Sequence, residues 1–447
     1  MRGRSTLVLL IVAAAFGGYL YFFESKKAIP DENAKKKVFT YDTAKIEQVE
    51  IKLASGEDTA LKKDASGWTI VKPTTAPADQ NNVNDIVTNL ATLEEDRVVE
   101  ENASDLKTYG LTQPRMDVSF TVAGEKEPKR ILFGDKSPTG VGVYAKLPDA
   151  KRVFLVGTSA DTTFNRTTFD LRDKTALKID QPKVDTLELV SKNQTIRVEK
   201  SGAEDWKMVK PVQAPADYVT VQGLLGQLMA AQMQTLKDKP EDVKDLKQYG
   251  LDKPEVTAVI GMGPQKVTFE LGKAGDAGSF WARDPSKPAV FTVASALADE
   301  LRKKPFDLRR KEIFAFRPFN TTRFEITRGK ESRAFERVKS KDPNGGDTWK
   351  QVVPSEKTVD SSNFEGALLE FSNLRAEAAV DRIDPAMGLG SPAAIITVKF
   401  EDGKKEERVS IGQRGPDVYA VRPDQPGALK VEMGKYEAAS KKLDSIQ

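Results

Sequence analysis

The chain has no cysteine and no histidine in 447 residues. The first absence excludes disulfides, thiol nucleophiles and lipid attachment through cysteine. Together the two exclude Cys/His zinc sites, Ser-His-Asp triads and haem held through His or Cys. Asp, Glu, Lys, Tyr, Ser and Thr remain for proton or nucleophile chemistry, so only a carboxylate pair or a Ser-Lys arrangement is left as a catalytic set. A dominant charge is also missing. Lys+Arg number 69 against 66 Asp+Glu, mixed along the chain, which provides no concentrated basic face for nucleic acid. Beyond residue 23 there is no long hydrophobic run.

Before that point there is one. Leu7 to Phe23 form 17 uncharged residues, preceded by Arg2 and Arg4 and followed by Glu24, Lys26 and Lys27. With Ser5 and Thr6 the run just reaches the length of a bilayer core, and Tyr19, Tyr21, Phe22 and Phe23 cluster where aromatic rings favour the lipid–water interface. Residues 1–24 are therefore expected to be an uncleaved transmembrane anchor. Cleavage at Ala13-Ala14-Ala15, the competing reading, leaves an apolar core at the lower limit for a signal peptide. Residues 25–37 read as a charged, solvated spacer. The expected location is the inner (cytoplasmic) membrane, single-pass, with the bulk of the chain extracytoplasmic (periplasmic). The bilayer is then the first partner.

Past the spacer the chain repeats itself at long intervals. Trp68, Trp206 and Trp349 lie 138 and 143 residues apart, each before a Pro-containing turn, a period of whole domains. The turn opens Lys72-Pro73 in copy one and Lys210-Pro211 in copy two, while copy three keeps Pro354. In every copy an Asp follows the Pro by six residues: Asp79, Asp217, Asp360. After each Asp, apolar residues recur at i, i+3, i+4 and i+7 (Val83, Ile86, Val87, Leu90; Val221, Leu224, Leu225, Leu228; Phe364, Ala367, Leu368, Phe371), one buried helix face. The Asp sits where an N-cap belongs, and capping is the reading preferred over a ligand or catalytic role.

Next come Tyr109-Gly110 and Tyr249-Gly250, with Met387-Gly388 in copy three, each with a Pro a few residues on. These read as short helical turns stopped by a left-handed glycine. Strictly alternating strands come after them, one per copy (Met116 to Val122; Val256 to Met262; Ala394 to Phe400), with one face buried. Hairpins then carry Tyr144, Trp281 and Tyr419, and their tips differ between copies. Copies one and two close on Phe169-Asp-Leu-Arg172 and Phe306-Asp-Leu-Arg309, read as connectors with Arg172 and Arg309 pairing across the junction; a plain solvated charge run is the alternative. Copy three lacks this close. The expected fold is α+β: an N-terminal transmembrane helix, then three antiparallel-sheet-plus-helix domains at 38–180, 181–316 and 317–447, the last degenerate.

The order Trp, Lys-Pro, Ala-Pro-Ala-Asp, amphipathic helix, Asp-Leu-x-x-Tyr-Gly-Leu-x-x-Pro, Gly, Tyr-Ala, Val-Phe, Leu-Arg resembles the bacterial family known as domain of unknown function 4340. The resemblance implies an extracytoplasmic partner of an ABC-type export system related to gliding-motility components, met by its permease or accessory subunit, and it brings no catalytic residues. The expected function is thus a scaffold or accessory protein, not an enzyme, with no cofactor, metal or nucleic acid. Two other classes are weighed: a glycan- or peptide-binding module using Trp281 or Tyr419, which align with Tyr144 in the sheet, and a carboxylate hydrolase for which Asp79, Asp217 and Glu365 are the nominees.

Overall fold

A computed structural model describes residues 36–203, 205–342 and 346–446. In the first repeat nine strands run Ile46–Leu53, Asp58–Asp64, Gly67–Lys72, Ala76–Pro77, Arg97–Glu100, Met116–Val122, Lys129–Lys136, Gly142–Lys146 and Val153–Gly157. Numbered in chain order, they lie across one antiparallel sheet as 4-3-2-1-6-7-8-9-5, and the other two repeats have the same order. The first strands of those repeats are Thr186–Ser191 and Thr321–Arg328. A meander of four strands and a meander of four thus meet at the pairing of strands one and six. Alternation decides that register: Val49 faces Phe120 and Ile51 faces Val118, Leu187 faces Ile260, and Phe324 faces Val398, all buried. A slip of one residue would turn every one of them to solvent.

Between strands four and five stands the amphipathic helix: Gln80–Thr92, Tyr218–Ala230 or Ser361–Ser372. Its apolar face joins residues from both halves of the sheet in a single core in each repeat, so the sheet curls over the helix. Each large aliphatic side chain buried this way contributes about 1.5–3 kcal/mol. The repeated tryptophans lie in these cores at 0–3% exposure, and Trp349 packs 4.7 Å from the Phe364 ring. The peptide before Pro73, Pro211 and Pro354 is cis in every repeat.

The expectation of an α+β chain led by a transmembrane helix is corrected. Three nine-stranded sheets dominate the described residues, and no described helix is long and apolar enough to cross a membrane. The longest have 13 residues, about 20 Å at 1.5 Å per residue, against a hydrocarbon core of about 30 Å. Residue pattern understates the sheet because short edge strands, such as Ala76–Pro77 and Thr235–Lys237, carry no readable alternation. The run Leu7 to Phe23 lies outside the described residues.

The chain divides into two compact units, residues 1–174 and 175–447. The first holds one repeat. In the second, the Arg310 amide donates to the Pro215 carbonyl of repeat two while the Ala376 amide donates to the Lys311 carbonyl, so repeats two and three succeed each other without a linker. Beside that joint, Arg422, at 7% exposure, donates to the Ile313 carbonyl, to Glu407 at 3.3 Å and, through two nitrogens, to Asp424 at 2.9 and 3.0 Å. Glu407 in turn accepts from the Ala315 and Phe316 amides. Arg309 crosses from repeat two to Gln425 at 2.8 Å.

Candidate interaction site

The sequence-selected residues fall into three places that recur in each repeat: a turn, a helix start and a sheet edge.

The turn is built on two glycines. Gly110, Gly250 and Gly388 adopt φ of +66° to +69° and end a short 3-10 turn, a backbone state in which only glycine avoids a steric penalty. Opposite, Gly134, Gly272 and Gly412 lie so close that a Cβ on each would come within 2.0–2.2 Å of the carbonyl oxygen of Tyr109, Tyr249 or Met387. The turn therefore rests directly on the seventh strand. This brings Tyr109 against Tyr144, ring centroids 5.0 Å apart and edge-on, and Tyr249 against Trp281 at 4.5 Å. Tyr109 also donates its hydroxyl to Glu100 at 2.8 Å, and that bond, with burial, holds its phenol above the usual range. In repeat three Met387 and Tyr419 line a hollow with Asp384, Arg414 and Asp417.

At the helix start, the Asp79 carboxylate accepts from the Asn81 and Asn82 amides, both at 3.0 Å. Asp217 accepts from Thr220 at 2.8 Å, and Asp360 from Asn363 at 2.8 Å. Glu365, nominated with them, accepts from the Trp349 indole at 3.2 Å and pairs with Arg337 at 3.3 Å. The four carboxylates each serve their own repeat, in capping or in holding a buried donor. Lys72 and Lys210 lie on the solvent face, paired with Asp58 and Glu188 respectively.

At the sheet edge the connectors turn back on their own repeat. The Asp79 amide donates to the Leu171 carbonyl and the Asp173 amide to the Pro77 carbonyl; Asp217 and Leu308, then Arg310 and Pro215, repeat the pattern. Leu171 and Leu308 are buried at 0% and 1%, while Arg172 and Arg309 stand opposite Ala78 and Ala216. In repeat three the chain runs instead into a longer helix, Met433–Asp444, whose Tyr436, Ala439 and Leu443 enter the core with Ile446.

The chain matches the family described as Domain of unknown function (DUF4340) over residues 68–205 and 206–387. It belongs to that family. The two matched segments start at Trp68 and Trp206; the first ends one residue before Trp206, whereas the second passes Trp349 and ends within the third sheet's repeat. No curated protein matches the chain. Among solved structures it is similar to the DNA polymerase sliding clamp of Pseudomonas aeruginosa, at 8% identity over 71% of this chain and 85% of that one, with a TM-score of 0.16. It is similar also to the DNA polymerase III subunit beta of the same organism, at 10% identity over 75% and 90%, with a TM-score of 0.15. Likeness at such TM-scores carries no argument about fold or function.

For this DUF4340 member, sequence reasoning missed the buried Arg422–Glu407–Asp424 group, which has no signal in residue spacing. Among the described residues no group of three or more acidic side chains is placed to hold a metal ion.

Proposed function

We propose that this DUF4340 protein is an extracytoplasmic scaffold or accessory protein, working by association with protein partners, in the setting that the family resemblance implies: an ABC-type export system, with its permease or large accessory subunit as partner. The observation that carries the reading is how the repeated polar and aromatic side chains are engaged. The carboxylates selected from the sequence cap helices or hold buried donors, and the aromatic side chains of repeats one and two stack on their own turns. Two features differ between repeats. One is the hairpin tip, with Val141 at 63% exposure in repeat one and the turn Gly275 to Gly278 in repeat two; the other is the finish of the sheet edge. Variable tips on a constant frame suit recognition.

The test is co-purification of the full chain from cells after mild detergent extraction, with bound proteins identified by mass spectrometry. A permease or its accessory subunit is the expected companion, and substitutions at the exposed Pro138, Thr139 and Val141 or at Asp276 should weaken the association without lowering thermal stability. Hydrolysis of an envelope substrate by the purified chain, lost on one Asp or Glu substitution that spares the fold, would replace this reading with an enzyme.

A further inference from the structure

The corner where the glycine-stopped turn rests on the sheet is built three times, and in two of them a ring fills it. In repeats one and two the turn ends on a tyrosine whose ring covers the aromatic residue of the eighth strand, Tyr109 against Tyr144 and Tyr249 against Trp281. In repeat three the turn ends on Met387, an unbranched side chain with no ring to set there. Tyr419, the half-buried equivalent of Tyr144 and Trp281, has no ring partner among the described residues. Beside it is a hollow of about 390 Å³, lined by Met387 and Tyr419 with Asp384, Ala386, Arg414 and Asp417. That volume falls in the range of small-ligand sites, about 300–1,000 Å³.

Strand pairing places polar groups around that ring. Gly412 faces Tyr419 and Arg414 faces Asp417 across the seventh and eighth strands of the repeat, Lys405–Arg414 and Asp417–Val421. Alternate residues of a strand share a face, so the ring, the guanidinium and the carboxylate rise on one side of the sheet. Each polar group keeps capacity to spare. Asp384 uses Oδ1 on the Ala386 amide at 2.7 Å and Asp417 uses Oδ1 on Lys430 at 2.7 Å, which leaves Oδ2 of each without a partner among the described residues. The Arg414 guanidinium has no hydrogen bond or ion pair among the described residues. Its counterpart in repeat one, Lys136, is held by Asp161 at 2.7 Å, and repeat two has the uncharged Ala274 there.

We propose that this hollow of repeat three binds an uncharged sugar ring, laid on Tyr419 where Tyr109 and Tyr249 stand in their own repeats, with its hydroxyls donating to Asp384 and Asp417 and accepting from Arg414. The inference goes beyond the scaffold reading and does not depend on it. Charge selects the class of ligand. Asp384 and Asp417 oppose an anion, while Arg414, with Lys430 beside it, opposes a cation. Acceptors and donors set around one ring match an uncharged molecule that carries both in several directions, as sugar hydroxyls do. The C–H face of a pyranose has the positive edge that the negative face of an aromatic ring attracts. An aromatic side chain of a peptide fits the same space, but with one polar group at most it leaves the carboxylates and the guanidinium unmatched.

The experiment titrates the full chain with glucose, galactose, mannose, N-acetylglucosamine and the linear trimer of the last, and follows binding by saturation-transfer NMR. The expected result is saturable binding of at least one of them, weakened roughly tenfold or more by Tyr419→Ala and by Arg414→Ala. Met387→Tyr should abolish binding without lowering the melting temperature, because it rebuilds the filled corner of repeats one and two. Arg414→Ala, at an exposed position, keeps the test decisive if Tyr419→Ala fails to fold. A trimer bound more tightly than its monomer supports the site with a glycan chain as its source, and equal binding supports it with a free sugar. Binding of none of these sugars overturns the proposal, as does binding that survives both Met387→Tyr and Arg414→Ala. Binding of N-acetyltyrosinamide in the absence of any sugar binding replaces it with a peptide site. Co-purification of the unmodified chain with its partners tests the scaffold separately, so either reading can fail while the other stands.

Discussion

Arg422 shows how much a single side chain carries at the joint between repeats two and three. At 7% exposure it neutralises Glu407, itself 8% exposed, and removing one member of a buried pair leaves the other charged and unsolvated. Arg422→Ala is expected to cost about 3–5 kcal/mol in the unit 175–447, read from the urea midpoint. Gly134 is a second such point. A methyl group there must displace the Tyr109 carbonyl, so Gly134→Ala should destabilise the first repeat by about 1–3 kcal/mol. Acid sensitivity has a local origin at Asp161. Burial opposes its ionisation, but the hydrogen bond from Lys136 and the charge of Arg115 prevail and hold its carboxyl below the usual range. A carboxyl lowered in the folded state contributes stability that is complete above its unfolded value, about 3.9, and is lost as pH falls through the folded one. Asp161→Asn should therefore lower stability at neutral pH, and its gap from the unmodified chain should close in chemical denaturation below about pH 4.

The helices and central strands are the elements whose behaviour comes most directly from residue order. Asp79→Ala and Asp217→Ala should each cost about 1 kcal/mol, with Asn nearly neutral, because an amide oxygen accepts from the same backbone donors; thermal melts of the four variants test this, and an Asn variant as unstable as Ala would deny the cap. The helix faces, the glycine-stopped turns and the alternating strands from Met116, Val256 and Ala394 are legible because each is specified by near neighbours in the chain. The elements that escape reading are specified from afar. Arg97–Glu100 and Thr235–Lys237 become strands by pairing with the ninth strand, and the motif read as a connector is fixed through bonds to Pro77 or Pro215, far earlier in the chain. The Met433–Asp444 helix does carry a local signal, the helical spacing of Tyr436, Ala439 and Leu443, although no equivalent in the other repeats points to it. Stacking of Tyr109 on Tyr144 and of Tyr249 on Trp281 depends on a close glycine approach that no spacing rule describes.

As a whole, the chain is an array of complete folding units. The first repeat has its own core, from Phe39 to Leu171, so fragments 36–174 and 175–447 should each be soluble and melt cooperatively by calorimetry; aggregation of either would show that its core is unfinished alone. Three sheets with one shared strand order also create a hazard when the whole chain refolds. The first strand of every repeat must wait for the sixth, and in the unfolded full-length chain a sixth strand finds more than one unsatisfied candidate of the same polarity and similar length, the condition for exchange between neighbours. The central pairs differ in a way that penalises such exchange. Val49 meets Phe120, small against large, whereas Phe324 meets Val398, large against small. Trading strands between the first and third repeats would crowd Phe324 against Phe120 in one core and leave Val49 against Val398 with a gap in the other, so the divergence of the copies acts as a proofreading code for their assembly.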